Sequence, residues 1–264
     1  MPEKLFKKGK QDNMKSRLNN ILATALTFLV ILTTTTASSQ EESDWKFDLA
    51  PFYLWAVNLE GDATVRGVTN PVDLSFDQIF DNLEGALIIH FEALHKNTWG
   101  VIADFNYLDI SQNAQVAIFD INVSVKETVA EFDGFYRIAH GVHQFDMVAG
   151  VRYNEVKIDY DIRNLPFDNS RTENWWDPVV GLRYRYPLAD RWTLQLRGDI
   201  GGLGIGSDFT WQTIGLIDYQ PWKYVSLVGG YRALSLDYET GSGNDGFKYD
   251  VLLHGPVLGL NIRW

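Results

Sequence analysis

The last predicted strand alternates large apolar side chains with small or polar ones, residue by residue. Its apolar face carries Leu252, Leu258, Leu260, Ile262 and Trp264. Its other face carries Gly255, Gly259, Asn261 and Arg263. The same period of two recurs along most of the chain after residue 45, and helical periodicity is nearly absent there. This period is that of a β-strand, so the sequence predicts an all-β protein whose strands each have one apolar and one polar face.

Alternation of this kind fits a soluble β-sandwich, whose apolar faces meet in a core, and also a membrane barrel, whose apolar faces meet lipid. Strand length favours the barrel, because the predicted strands run about ten residues or more and soluble strands usually run about five or six. Aromatic residues also gather near the strand ends, where their rings suit the level of the lipid headgroups. These residues are Trp45, Tyr53, Trp55, Trp99, Tyr107, Phe145, Tyr153, Tyr186, Trp192, Trp211, Tyr219, Tyr231 and Trp264.

Only a closed sheet can lie in a membrane, because hydrocarbon offers no hydrogen-bond partner to the backbone groups of a free edge. We therefore predict a transmembrane antiparallel up-and-down β-barrel. Its ten predicted strands cover residues 45–59, 84–96, 99–112, 121–138, 143–160, 177–188, 191–205, 208–219, 223–239 and 248–264. Eight or twelve strands are the alternatives, for example if segment 60–83 contains a hairpin. Short connections alternate with long ones, as periplasmic turns alternate with extracellular loops.

The N-terminal region predicts export from the cytoplasm. Residues 1–20 are rich in lysine, residues 21–32 are apolar, and residues 33–39 are small and polar. This is the order of regions in a secretory signal peptide, and the apolar run is shorter than the roughly 20 residues of a membrane-spanning helix. We predict a signal peptide over residues 1–39 and a barrel over residues 40–264. A retained membrane anchor is the alternative.

The terminal residues Leu258, Leu260, Ile262 and Trp264 resemble the C-terminal assembly signal of bacterial outer-membrane β-barrel proteins. That family usually ends in Phe, so Trp264 departs from its pattern. Segments 72–83 and 230–238 are similar to a set of small, uncharacterised, porin-like outer-membrane barrels. The resemblance implies a location in the outer membrane of a Gram-negative bacterium. It also implies contact with outer-membrane lipid and lipopolysaccharide, and handling by the barrel-assembly machinery. It implies no activity.

If the apolar faces meet lipid, charged residues of both signs line the lumen. The predicted network contains Glu131, Asp133, Arg137, Asp146, Arg152, Arg183, Arg185, Arg197, Asp199, Arg232 and Arg263. About eight strands make a barrel that side chains just fill, so a ten-stranded lumen should be mostly plugged.

A two-residue turn at 141–142 predicts one register. Glycine in the first turn position suits a type II′ hairpin, which pairs Arg137 with Asp146 and Glu131 with Arg152. A slip by one residue would turn one of these charged sets toward lipid.

Candidate catalytic residues are few. His90 and Glu92 share a face near Asp104, which suits acid–base chemistry, although a part in the lumenal charge network is the more ordinary interpretation. His254 faces lipid, as the histidine of outer-membrane acyl hydrolases does, and Ser235 could accompany it. The ten-stranded outer-membrane proteases place a histidine at the extracellular rim, whereas the other histidines here lie near short turns or in the lumen.

Segment 73–83 carries the one helical signal, with apolar residues spaced by three and four after a possible N-cap at Ser75. Such a helix could be a lid or plug, or it could simply cover the rim of the barrel.

Composition excludes several classes of function. The net charge of −11 gives no electrostatic footprint for nucleic acid. The lack of cysteine excludes thiolate metal sites and cysteine nucleophiles. No motif indicates a cofactor or a metal.

We therefore expect a non-enzymatic outer-membrane barrel that is structural or a narrow passage for small solutes. An outer-membrane protease or lipid acyl hydrolase, and a surface-binding barrel acting through its loops, are the alternatives.

Overall fold

The computed structural model describes residues 43–65, 67–116, 119–162 and 168–264. The predicted signal peptide, residues 1–39, lies outside the described residues and stays a prediction. No helix in these described ranges is long and apolar enough to cross a membrane.

The described chain forms one antiparallel sheet and one short helix. The strands are β1 (Trp45–Trp55), β2 (Asn58–Val65), β3 (Val68–Leu74), β4 (Leu83–His95), β5 (Trp99–Val116), β6 (Phe119–Ala139), β7 (Gln144–Ile162), β8 (Asp168–Ala189), β9 (Trp192–Gly201), β10 (Phe209–Tyr219), β11 (Val225–Thr240) and β12 (Phe247–Arg263). Helix α1 covers Phe76–Asp81, and a 3-10 turn covers Gly243–Asp245.

Ten of these strands close into a barrel, as the sequence predicts. Each strand from β4 to β12 pairs with the next, and β1 closes the cylinder by pairing with both β4 and β12. The remaining two strands form the hairpin β2–β3, which lies within the segment expected to be a loop. β2 pairs with residues 247–254 of β12, beyond the part of β12 that pairs with β1.

A β-bulge in β1 overturns the predicted orientation of two aromatic residues. The register with β12 shifts between Leu49 and Phe52, so the side-chain parity changes within β1. Asp48 faces the lumen before the bulge, and Tyr53 and Trp55 face inward after it. The prediction that Tyr53 and Trp55 belong to the headgroup belt is therefore wrong.

Several strands are longer than predicted. Segments 113–120 and 161–176 were expected to be loops, yet β5, β6, β7 and β8 continue through most of both segments. On β7 the inward positions change from charged Arg152 to apolar Val156 and Ile158, both buried, whereas the outward positions become polar, as at Lys157. At the outer ends of the strands, apolar side chains therefore face inward and polar side chains face outward, as in a water-soluble β-barrel.

The hairpin β6–β7 has the predicted register but a different turn. Arg137 pairs with Asp146 and Glu131 pairs with Arg152, which confirms the register. A bulge between Arg137 and Ala139 shifts the pairing, and residues 140–143 connect the strands in place of a two-residue turn.

Helix α1 confirms the helical signal of the sequence. Ser75 is its N-cap, and Ser75 and Gln78 form a capping box that satisfies free backbone N–H groups of the first turn. The Asn58 side chain accepts a hydrogen bond from the backbone N–H of Phe76 at 2.8 Å and so ties the helix to β2. Ile79 is buried, whereas Phe80 is exposed, so the helix covers the outer rim with one apolar side.

Candidate functional site

The outward faces of the inner part of the barrel form an apolar band. Large exposed apolar side chains cover it, including Leu87, Phe105, Phe132, Met147, Val151, Val180, Leu182, Leu196, Ile200, Leu227 and Leu258. Exposed rings lie at the end with the short turns, namely Trp99, Tyr136, Phe145, Trp192 and Trp264, and further along the strands at Trp176, Phe209 and Tyr231. Aromatic belts on both sides of an apolar band are typical of a barrel that spans a membrane.

Inside this band the lumen is filled by a network of ion pairs. Nine of the eleven lumenal residues named from the sequence are buried: Glu131, Asp133, Arg137, Asp146, Arg152, Arg183, Arg197, Asp199 and Arg232. The other two, Arg185 and Arg263, are partly exposed toward the end with the short turns. The network therefore blocks the axis of the barrel at membrane depth.

Each buried arginine contacts more than one carboxylate or amide. Arg183 lies 2.6 Å from Glu92 and 2.8 Å from Asp146. Arg152 lies 2.7 Å from Glu131 and 2.6 Å from Asp199. A buried charge is tolerated when it is paired and hydrogen-bonded in this way, so the network is consistent with a stable lumen.

A second, apolar plug closes the outer part of the lumen. Buried Val156, Ile158, Leu234, Leu236, Phe247, Tyr249, Val251 and Leu253 belong to one cluster there. Trp175 and Tyr238 stack in this cluster, with ring centroids 4.0 Å apart. The lumen is thus occupied by the ionic network in its inner part and by the apolar plug in its outer part.

A cavity of about 460 Å³ lies at the end with the short turns, and we call it the vestibule. Its walls include Lys46, Gln144 and Gln220 near the turns, and Arg232 and Gln212 deeper in the barrel. The ionic network closes the vestibule toward the outer side.

His90 lies on the wall of the vestibule together with Glu92 and Asp104. Its Nδ1 is 3.1 Å from Oδ2 of Asp104, and Asp104 also lies 3.0 Å from Arg232. Glu92 instead pairs with Arg183 and with Arg185, at 2.6 and 2.7 Å. The two carboxylates are thus divided between different arginines, and Asp104 is the one that contacts the imidazole ring.

His254 faces outward and both of its ring nitrogens are engaged. Nδ1 is 2.6 Å from the hydroxyl of Tyr231, and Nε2 is 3.1 Å from Oε1 of Glu60. The ring therefore has no free nitrogen for Ser235, which lies opposite Leu252 rather than opposite the histidine.

The other histidines lie at the short turns, His95 at the end of β4 and His140 and His143 in the β6–β7 connection. In the described ranges, no group of three or more histidine or acidic residues is placed to hold a metal ion.

The wall of the barrel is interrupted between β1 and β4. These strands pair only from Trp45–His95 to Ala50–His90. Beyond that point β1 pairs on its other side with β12, and residues 83–89 of β4 pair only with β5 in the described chain. Leu87 lies directly opposite Tyr107, at the level of the outer aromatic residues. The interruption, which we call the lateral gap, therefore opens near the outer headgroup level.

An apolar cavity of about 170 Å³ occupies the lateral gap. Its walls include inward-facing Ile88, Val129 and Leu253 from the barrel interior, and Phe76, Ile79 and Phe80 from α1. Outward-facing Leu54 and Tyr107 line the same cavity. A cavity lined from both faces of the sheet crosses the wall, which a cavity inside a closed barrel would not do.

Two buried polar atoms of residues that line this cavity have no hydrogen bond in the described chain, and the hydroxyl of Tyr249, which lies beside Glu127, also has none. The two atoms are Oε1 of Glu127 and Nε1 of Trp55. Glu127 is not among the functional residues predicted from the sequence, although its acidic side chain lies between the inward-facing apolar residues Val125 and Val129. The sequence pattern assigns Trp55 to the headgroup belt because the bulge in β1 has no signal in the sequence.

No family model matches the chain, and no curated protein matches it. Among solved structures, the outer-membrane protease OmpT of Escherichia coli is similar over 88% of this chain and 100% of its own, with a TM-score of 0.53 and 9% identity. The match to the translocator domain of the autotransporter NalP of Neisseria meningitidis covers 96% of this chain and 98% of that domain, with a TM-score of 0.44 and 12% identity. The match to OprG of Pseudomonas aeruginosa covers 84% of this chain and 96% of OprG, with a TM-score of 0.38 and 12% identity.

The closed ten-stranded barrel, its apolar band and its aromatic belts define a bacterial outer-membrane β-barrel. At 9% identity the likeness to OmpT shows a shared fold and carries no information about activity.

Proposed function

We propose that this protein is a non-enzymatic barrel that passes small apolar solutes through its wall. The observation that carries the proposal is the lateral gap, where β1 and β4 lose their pairing and an apolar cavity crosses the sheet. The edges of β1 and β4 at this gap have no strand partner in the described chain, which is unusual for a barrel in a membrane, where backbone groups need hydrogen-bond partners.

The axial route is closed twice, by the ionic network and by the apolar plug. A solute entering from the membrane would instead use the lateral gap and leave through the vestibule. Tyr53 lines both cavities, so we propose that its side chain controls passage between them. A change of its rotamer would connect the two spaces without breaking the network.

The alternatives have less support. An outer-membrane acyl hydrolase of the histidine–serine type would need a serine hydroxyl against one nitrogen of His254, and the two nitrogens contact Tyr231 and Glu60 instead. Among the residues that line the vestibule on β1, β4 and β5, no serine or threonine lies beside the pair of His90 and Asp104. A surface-binding role would depend on the extracellular loops predicted from the sequence, and parts of the predicted segments 113–120 and 161–176 lie outside the described residues.

Transport can be tested in proteoliposomes whose outer leaflet contains lipopolysaccharide. We expect 4-fluorotoluene and 4-fluorophenol to enter several-fold faster with the barrel than without it. Ala86→Trp should abolish the gain, because Ala86 lines the cavity and the larger ring would fill it. Ala103→Trp is the matched control, since Ala103 lies on the outward face of β5, opposite Phe91. Equal rates in the wild type and in Ala86→Trp would refute the proposal.

A further inference from the structure

The cavity in the lateral gap combines an aromatic lining with two unsatisfied polar atoms. Five of its residues carry aromatic rings: Tyr53, Trp55, Phe76, Phe80 and Tyr107. Rings of this kind pack well against another ring through edge and offset contacts. A purely apolar cavity would need no carboxylate, yet Glu127 is only 6% exposed and reaches this one.

The two unsatisfied atoms have complementary requirements. Oε1 of Glu127 can accept a hydrogen bond, and Nε1 of Trp55 can only donate one. Leaving such groups buried without partners is unfavourable, and water is a poor occupant of a cavity with so few polar groups. A hydroxyl group both donates and accepts, so it is suited to satisfy one or both of these atoms.

The size of the cavity limits the rest of the ligand. An engineered cavity of about 150 Å³ holds benzene, so a volume of about 170 Å³ admits one ring with a small substituent. Phe76 and Phe80 pack against each other in a tilted arrangement, with ring centroids 5.7 Å apart, and line the cavity on the side of α1.

From these observations we infer that the cavity binds one-ring phenols, with the hydroxyl donating to Glu127 and the ring packed among the aromatic residues. The inference deepens the proposed function, on which its biological meaning rests, by naming the class of solute. Binding itself does not require transport, so the two proposals can fail separately.

The test compares two probes of nearly equal shape, 4-fluorophenol and 4-fluorotoluene, by fluorine NMR titration of the full barrel in lipid nanodiscs. Partition into lipid is measured with Ala86→Trp nanodiscs and subtracted. We expect saturable binding that favours the phenol by about tenfold, since the methyl analogue leaves Glu127 unsatisfied.

Glu127→Leu should remove the preference while keeping binding of 4-fluorotoluene, because the cavity keeps its size and becomes wholly apolar. Trp55→Phe keeps a ring at that position and should weaken phenol binding less than Glu127→Leu does. Unchanged preference in Glu127→Leu, or no saturable binding in the wild type, would overturn the inference. Saturable phenol binding without accelerated entry would instead refute only the proposed transport.

Discussion

Arg152 and Glu131 face each other across β6 and β7, and Nε of the arginine donates to Oε2 of the carboxylate at 2.8 Å. The same guanidinium donates to Asp199 on β9 and to Thr210 on β10. One side chain therefore joins four strands through the lumen. The stability of the barrel therefore depends on the ion pairs in its lumen.

Replacing Arg152 with Met should destabilise the barrel by about 1.5–3 kcal/mol, because Glu131 and Asp199 would lose a fully buried, charged hydrogen-bond donor and keep only Arg197 as a partner. Urea unfolding in lipid vesicles, followed by tryptophan fluorescence, measures the change. Arg185→Met is the control and should cost no more than about 1 kcal/mol, because Arg185 is partly exposed and Glu92 retains Arg183. If both variants lost the same free energy of unfolding, burial of an ion pair would not determine how much that pair stabilises the barrel.

The orientation of β8 is tested by two neighbouring tryptophans. Trp175 is 4% exposed and stacks on Tyr238, whereas Trp176 is 57% exposed on the outer wall. Trp175→Ala should cost about 3–5 kcal/mol through loss of contacts and a new cavity. Trp176→Ala should cost clearly less, because it leaves no cavity. The reverse order of the two losses in urea unfolding would show that the apolar plug is wrongly placed.

Glu127→Leu is expected to stabilise the protein in the absence of ligand. The substitution removes a buried oxygen that has no hydrogen bond in the described chain, but it also takes the acidic neighbour from the buried hydroxyl of Tyr249, so the gain should be about 1 kcal/mol. Thermal or urea unfolding in phenol-free vesicles measures the gain. Glu131→Leu serves as the comparison and should destabilise, since Glu131 pairs with Arg152 and Arg197. A loss of stability in Glu127→Leu would indicate a structural role for that carboxylate.

The wild-type barrel should show no sustained ion conductance in planar bilayers. The ionic network fills the axis, and the apolar plug with Leu234, Leu236 and Phe247 closes the outer part even when a charge is removed. Arg197→Met should therefore stay non-conducting as well. Stepwise, ohmic currents from the folded wild type would show that the axis is open.

Much of this architecture follows from local pattern. The period of two, the short turns and the charged inward positions predict ten strands and the register that pairs Arg137 with Asp146. Ser75 and the spacing after it predict α1. These features depend on neighbours within a strand, a turn or a hairpin, so they can be inferred without knowledge of distant contacts.

Two features of the candidate site depend on contacts between distant segments. The bulge in β1 turns Tyr53 and Trp55 inward because β12 fixes the register on that side. The lateral gap exists because β2 and β3 extend β12 instead of β4, and no property of residues 58–74 alone dictates that partner.

Alternation by itself establishes that each strand has two unlike faces and which residues share a face. Whether the apolar face points outward or inward at a given height depends on the medium beyond the wall, and that changes from lipid to water along strands such as β7. Only the assembled barrel places Val156 and Ile158 above the membrane and Val151 within it. The hydrophobic effect therefore buries Val156 and Ile158 inside the barrel and leaves Val151 exposed to lipid. The period of two is the same along the whole strand and does not distinguish these two cases.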